Sequence, residues 1–301
     1  MKTHDREFFY KYTSAHRGLD VLTNLTVWWC SPLLFNDPFD THFSLNYGFP
    51  LDAFADAMAS RVQQLVQSDE PLSPAANPTL ATSVLLCRLL RKHGHADKVF
   101  SGLKEALQTG ADDVKQSLHL VAEGWREWLR SMRVFCVSEV HDDLLMWAHY
   151  ADCHRGVVIK LRCLREKDTA LCAARPIQYQ ADIPVLARTV EEWVAHVCGD
   201  HRLDFDDIFG RLAFTKSEHW VYEKEWRCWI GNGVPSKAPE PLAEPNLLFA
   251  EEIAAVYLGC RMGDDQREAI TRLVRERFGA AKLFQARTST SAFRLEFDET
   301  A

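Results

Sequence analysis

The change in hydrophobic periodicity along the chain constrains its fold most. From Leu51 to Met132, apolar residues recur at helical spacing in Leu51–Gln67, Ala81–His93, Ala96–Gln108 and Asp112–Met132. No strand-like alternation separates these segments. A proline-bearing loop, Ser68–Pro78, interrupts the block. On either side the pattern becomes that of strands. Phe8–Tyr12, Leu25–Cys30, Arg133–Ser138, Gly156–Leu161, Arg175–Gln180, Tyr222–Ile230, Ile253–Cys260, Lys282–Arg287 and Ala292–Phe297 are short and rich in β-branched or aromatic residues. Helical patterns at Arg17–Asn24, Leu144–Ala151, Val185–Lys216 and Asp264–Phe278 fall between them, and a proline-rich loop spans Gly231–Pro245. Strands before and after a helical block imply an α+β fold with a mixed or antiparallel β-sheet core. The expected organisation is a single domain over residues 1–301, with a helical insertion at 51–132.

The 47% hydrophobic and 26% charged content is ordinary for a globular chain. A net charge of -7 argues against gripping nucleic acid through overall electrostatics, although a local basic cleft is compatible with it. The N-terminal residues contain no apolar run long enough for a signal peptide, and no apolar stretch is long enough to span a membrane. A cytoplasmic protein with no membrane partner is expected. Its 9 cysteines are an odd number and widely spread, which suits reduced thiols.

Tyr222-Glu223-Lys224-Glu225-Trp226-Arg227-Cys228-Trp229-Ile230 is the chemically most loaded stretch. Read as an extended strand, it places Glu223, Glu225 and Arg227 on one face and Tyr222, Lys224, Trp226 and Cys228 on the other. Lone buried carboxylates are costly, so two acids beside one arginine are paired or used. Arg227 held bidentately by Glu223 or Glu225 would account for one acid. The second could bind ribose hydroxyls and stabilise a sugar cation. In Leu144–Ala151, Met146 and Trp147 read as core, whereas Tyr150, beside a turn leading to Gly156, can wall a cleft. In the loop Ser31–Asp40, the phenylalanines around Asn36-Asp37-Pro38 suggest folding back onto the core.

No cysteine pair has zinc-module spacing, and neither His93-x-His95 nor the group His149, Cys153 and His154 forms a recognisable metal site. Walker, Rossmann and nucleophile-elbow motifs are absent.

Four blocks together resemble a family of bacterial proteins known mainly as a domain of unknown function. They are Tyr10-Lys11-Tyr12, Phe35-Asn36-Asp37-Pro38-Phe39, the segment from Ser138 to Ile159 containing Met146-Trp147-Ala148-His149-Tyr150, and Tyr222-Glu223-Lys224-Glu225-Trp226-Arg227. The order of parts is also similar to the ADP-ribosyltransferase superfamily. That resemblance implies an ADP-ribosyltransferase-like fold and an NAD-dependent transferase. Tyr10 or Tyr12 would hold the adenosine end of NAD, and Ser138 and Tyr150 would shape the nicotinamide pocket. Glu225 would be the catalytic acid, with Glu223 as fallback or acceptor-side residue, and Arg227 would orient the acid or contact a phosphate. By analogy it implies a bacterial toxin or anti-phage effector restrained by a partner protein. The acceptor would be protein or nucleic acid; for a nucleic acid, Lys11, Arg17 and Lys216 would form a basic rim. Two other readings are a non-catalytic sensing or interaction module, and a metal-dependent nuclease using Glu223, Glu225 and Asp37.

Overall fold

The computed structural model describes residues 4–68, 70–95, 102, 119–231 and 241–300. The expected helix Ala96–Gln108, apart from residue 102, lies outside the described residues, as do the start of Asp112–Met132 and most of the loop Gly231–Pro245.

In chain order the elements begin β1 (Phe8–Thr13), α1 (Ala15–Asn24), β2 (Thr26–Cys30), α2 (Leu51–Gln67), α3 (Pro78–Lys92), β3 (Arg133–Ser138), α4 (Leu144–Tyr150) and β4 (Val157–Arg162). They continue β5 (Arg175–Pro176), β6 (Gln178–Gln180), α5 (Val190–Cys198), α6 (Phe205–Ala213), β7 (Thr215–Ser217) and β8 (Glu225–Ile230). The chain closes with β9 (Ala243–Leu247), β10 (Ile253–Leu258), α7 (Asp264–Arg277), β11 (Lys282–Thr288) and β12 (Leu295–Glu299).

The chain divides into two compact units. Met1–His42, Glu127–Asp182 and Phe214–Ala301 form the first; Phe43–Arg126 and Ile183–Ala213 form the second. The second unit is helical, and the expected insertion at 51–132 corresponds to it only in part, because α5 and α6 belong to it as well. Val62 and Val66 of α2 pack with Val84 and Cys87 of α3 and with Val194 and Cys198 of α5.

The first unit is built on a 10-stranded mixed sheet ordered β12-β11-β10-β4-β1-β3-β2-β9, with β8 paired to β3 and β5. Most neighbours are antiparallel; β10 and β11 are parallel, and α7 supplies the crossover such a pair needs. One face of the sheet carries Phe9, Phe135, Ile159, Trp226, Cys228 and Val256, packed with Leu22 of α1 and with Ile270 and Val274 of α7. α1 starts on the side chain of Ser14, which accepts from Arg17 N, and stops at Leu25 with φ 52°.

β3 is central to the architecture. One of its edges forms a continuous ladder with β8, from Arg133↔Ile230 to Ser138↔Glu225. Its other edge is shared: β1 meets it at Tyr10↔Ser138 and β2 meets it at Cys30↔Val134. Between these contacts Lys11 Nζ donates to the Cys136 carbonyl at 2.8 Å, satisfying an acceptor that no strand reaches.

The structure corrects two expectations. Tyr222–Ile230 is not one strand: Glu218–Glu223 is a 3-10 turn capped by Ser217, Lys224 is left-handed at φ 43°, and β8 begins only at Glu225. Strand alternation therefore holds for Glu225, Trp226, Arg227 and Cys228 but does not position Glu223. The loop Gly231–Pro245 also contains the start of β9, antiparallel to β2 with Pro245 opposite Trp28. A proline is accommodated because, among the described residues, β9 ends the sheet order and has one backbone edge unpaired in it.

Candidate functional site

The register aligns Tyr10, Ser138 and Glu225 across β1, β3 and β8, and sets Cys136 opposite Arg227. Residues two apart on a strand share a face, so Tyr10 and Tyr12, Cys136 and Ser138, and Glu225 and Arg227 face away from the main core. Over this face lies a pocket of about 390 Å³ lined by Tyr10, Lys11, Tyr12, Cys30, Leu34, Phe35, Asn36, Asp40, Cys136, Val137, Ser138, Met146, His149, Tyr150, Lys216, Glu223 and Glu225. That volume suits part of a small molecule.

α4 supplies one wall. Asp143 caps it, accepting from Leu145 N and Met146 N at 2.9 Å, and the buried Trp147 donates its ring N–H to the His141 carbonyl at 2.7 Å. Met146 and Trp147 are core, as their spacing predicts. Tyr150 ends the helix. Asp152, Cys153 and His154 then adopt positive φ and turn the chain toward β4. Gly156 permits the return, because a Cβ there would sit 2.2 Å from the Thr13 carbonyl oxygen.

The floor is a buried charge cluster. Lys216 Nζ lies 2.5 Å from Glu223 Oε2, 3.1 Å from Glu225 Oε2 and 3.5 Å from Asp40 Oδ2. Arg227 holds Glu225 bidentately, Nε to Oε1 at 2.7 Å and Nη2 to Oε2 at 3.1 Å, and also donates to Asp40 Oδ2 at 2.5 Å. Tyr150 donates its hydroxyl to Glu223 Oε1 at 2.6 Å. Backbone bonds set the strand ends: Ser138 Oγ donates to the Glu223 carbonyl at 2.7 Å, and Glu225 N donates to Tyr179 Oη at 2.8 Å. Asp40, Glu223 and Glu225 thus share Lys216 and Arg227, leaving one excess negative charge when all five are ionised.

The two glutamates titrate in opposite directions. Burial raises both, but at Glu225 the charges of Arg227 and Lys216 outweigh it and hold the carboxyl well below its ordinary range. At Glu223, burial and the neighbouring Glu225 charge prevail over Lys216 and the Tyr150 hydrogen bond, pushing the group up to about 7. Lys216 is raised despite its burial, by Glu225, Asp40 and Glu223. Burial and Glu225 also raise Cys136, so the pocket offers a thiol rather than a thiolate at neutral pH.

A carboxyl raised on folding binds its proton more tightly in the folded state. Its contribution is therefore present at low pH and lost as pH rises through about 7. Relative to Glu223→Gln, the wild type is expected to lose roughly 3 kcal/mol of stability between about pH 4.5 and about pH 7.5, at ~1.4 kcal/mol for each pH unit over which only the folded chain holds the proton. Urea denaturation across that range measures the difference, and parallel profiles for the two proteins would refute the assignment.

Of the residues singled out by sequence, Tyr10, Tyr12, Ser138, Tyr150, Glu223 and Glu225 come together in the pocket. Their functional groups are not equally open. The Tyr12 hydroxyl is spent on the Val140 carbonyl at 3.0 Å, and Ser138 on Glu223. Arg227 is absent from the lining: it is 1% exposed beneath the floor, so orienting Glu225 fits its position and contacting a phosphate does not. The basic rim is also corrected. Lys216 is buried among carboxylates, Lys11 bonds Cys136, and only Arg17 of the three is exposed.

Asp40, Asn36, Cys136 and Lys216 were not anticipated as pocket residues. The Phe35–Phe39 block was the available signal for the loop, although Phe39 itself is 63% exposed. For the metal-dependent reading, Asp37 does not line the pocket, and its Oδ1 accepts from Phe39 N at 2.9 Å. Among the described residues no group of three or more His, Cys, Asp or Glu is placed to hold a metal ion. Also among them, no helix is long and apolar enough to cross a membrane.

The chain matches none of the curated proteins and none of the solved structures with which it was compared. Residues 146–228, from Tyr150's helix through the strand bearing Glu225 and Arg227, match the family described as "Protein of unknown function (DUF2971)".

Proposed function

We propose that the chain is an NAD-dependent ADP-ribosyltransferase with an ADP-ribosyltransferase-like core, and that this pocket takes the nicotinamide ribose. One observation carries the reading: two carboxylates in one pocket, beside a tyrosine ring, have surroundings that drive their proton affinities apart. NAD supplies a ribosyl carbon on a cationic leaving group; its C1′–N bond breaks with both electrons going to neutral nicotinamide, while an acceptor bonds C1′ and gives up a proton.

Glu225 is the electrostatic member of the pair. Arg227 and Lys216 keep it ionised and take three of its roughly four lone-pair sites; the fourth faces the Cys136 thiol, a weak donor that a ribose hydroxyl can displace. It accepts the ribose 2′-hydroxyl and opposes the positive charge that grows on the sugar, an interaction stronger in the transition state than before it. Glu223, poised near neutrality, takes the acceptor's proton. The Tyr150 ring walls the nicotinamide and restricts it to the departing conformer, while its hydroxyl tunes Glu223. Tyr10, half-buried and stacked on His141 at 5.1 Å, suits the adenosine side better than Tyr12, whose hydroxyl is already engaged.

The direct test incubates purified protein with NAD labelled in its ADP-ribose portion and with total protein or RNA. Label transfer with release of nicotinamide is expected. No label transfer by wild type to any acceptor, leaving it indistinguishable from Glu225→Gln, would end the reading. The pH profile tests the division of labour: kcat/KM should rise with pH and level off above about 7. Tyr150→Phe removes a bond that favours the ionised form of Glu223 and should move this limb to higher pH, and Glu223→Gln should abolish it. An unmoved limb in both variants would assign the proton transfer elsewhere.

A further inference from the structure

One buried oxygen of a pocket-lining residue has no hydrogen-bond partner among the described residues. Asp40 is 2% exposed and lines the cavity. Its Oδ2 is held by Arg227 and faces Lys216, yet Oδ1 is buried without a hydrogen-bond donor. Native structures rarely leave a buried carboxylate oxygen in this state, because the lost hydration is not returned. In the wall of a cavity, such an oxygen marks a place where a bound molecule donates.

The neighbourhood says what kind of donor. Asp40 and Glu225 share Arg227 Nη2, at 2.5 and 3.1 Å, and share Lys216 Nζ, at 3.5 and 3.1 Å. Their carboxylates are therefore adjacent acceptors on the same pair of cations. Two cations for three carboxyl groups leave the cluster with no spare positive charge, and with excess negative charge once Glu223 ionises, which favours a ligand bringing hydroxyls or amide N–H groups over one bringing phosphate. Two neighbouring carboxylates facing one cavity match two neighbouring hydroxyls. The loop holds Asp40 in place: its N–H donates to the Asp37 carbonyl at 3.1 Å, and the buried Thr41 follows it at φ 62°.

We propose that Asp40 and Glu225 clamp the vicinal diol of a ribose, Glu225 accepting the 2′-hydroxyl and Asp40 Oδ1 accepting the 3′-hydroxyl. The assignment rests on the transferase reading and adds to it a ligand-binding residue that selects an intact ribose.

The test is calorimetric titration of the full chain with NAD and with the analogue lacking the 3′-hydroxyl of the nicotinamide ribose. Wild type should bind the analogue about tenfold more weakly, the size of one lost hydrogen bond to a charged acceptor. Asp40→Asn, which turns an amide N–H₂ or a neutral oxygen toward the ligand, should weaken NAD binding and remove most of the discrimination. The comparison of the two ligands on wild type needs no variant to fold, and equal affinities there would overturn the clamp. Equal affinities alongside intact label transfer would remove the clamp alone. Failure of wild type both to bind NAD and to transfer label would remove the transferase reading and the clamp with it.

Discussion

Arg227→Met is expected to destabilise the protein by about 3–5 kcal/mol, the range for removing one partner of a buried ion pair. Arg227 is 1% exposed and holds both Glu225 and Asp40. Without it, Asp40, Glu223 and Glu225 face Lys216 alone, and one uncompensated negative charge remains in a low-dielectric interior, or two once Glu223 ionises. Methionine replaces much of the volume, so the loss reports charge more than packing. The deficit should shrink in acid, where the stranded carboxylates take up protons. Arg287→Met serves as control: this guanidinium pairs with Glu296 and Asp298 on the surface, where such bridges are worth about 1 kcal/mol or less. Urea midpoints for the two variants separate the cases. Similar small losses would mean that the buried cluster contributes no more than a surface pair.

Glu225→Gln is expected to reduce NAD turnover by at least about a hundredfold, mainly through kcat. The amide keeps the shape and one acceptor oxygen for Arg227 but removes the charge that opposes the growing sugar cation. Ground-state binding depends less on that charge, so affinity for NAD should change far less than the rate. Arg227 loses part of its compensation, and a lower melting temperature accompanies the change. The decisive comparison is therefore made where circular dichroism shows the variant folded. A folded Glu225→Gln protein with wild-type turnover would remove Glu225 from the chemistry and leave it as the anchor of Arg227.

Local pattern was readable where one periodicity dominated. The expected Leu51–Gln67 and Arg133–Ser138 coincide with α2 and β3 because helical spacing and β-branched density were each unopposed there. Alternation likewise placed Glu225 and Arg227 on one face, with Trp226 and Cys228 in the core behind them. Glu223 was placed correctly beside Glu225 for an incorrect reason. It arrives from a 3-10 turn whose left-handed stop, Lys224, carries none of the glycine or asparagine that announces such a conformation. Lys216 and Asp40 were illegible as members of the floor because charged side chains read as solvent-facing by default. Their burial depends on Arg227 and Glu225, which no local pattern connects to them, and on a three-residue parallel pairing of β6 with β7 that is too short to leave a signature.

The divided edge of β3 has a mechanical consequence. Two strands lean on it at opposite ends, each through one residue pair, and the pocket opens along the span between. A molecule bound along that span would touch β1, β2 and β3 together, where the Lys11 side chain now bridges to the Cys136 carbonyl. Hydrogen exchange at the amides of β1, β2 and β3 around Lys11, Cys30 and Cys136 is therefore expected to slow when NAD binds.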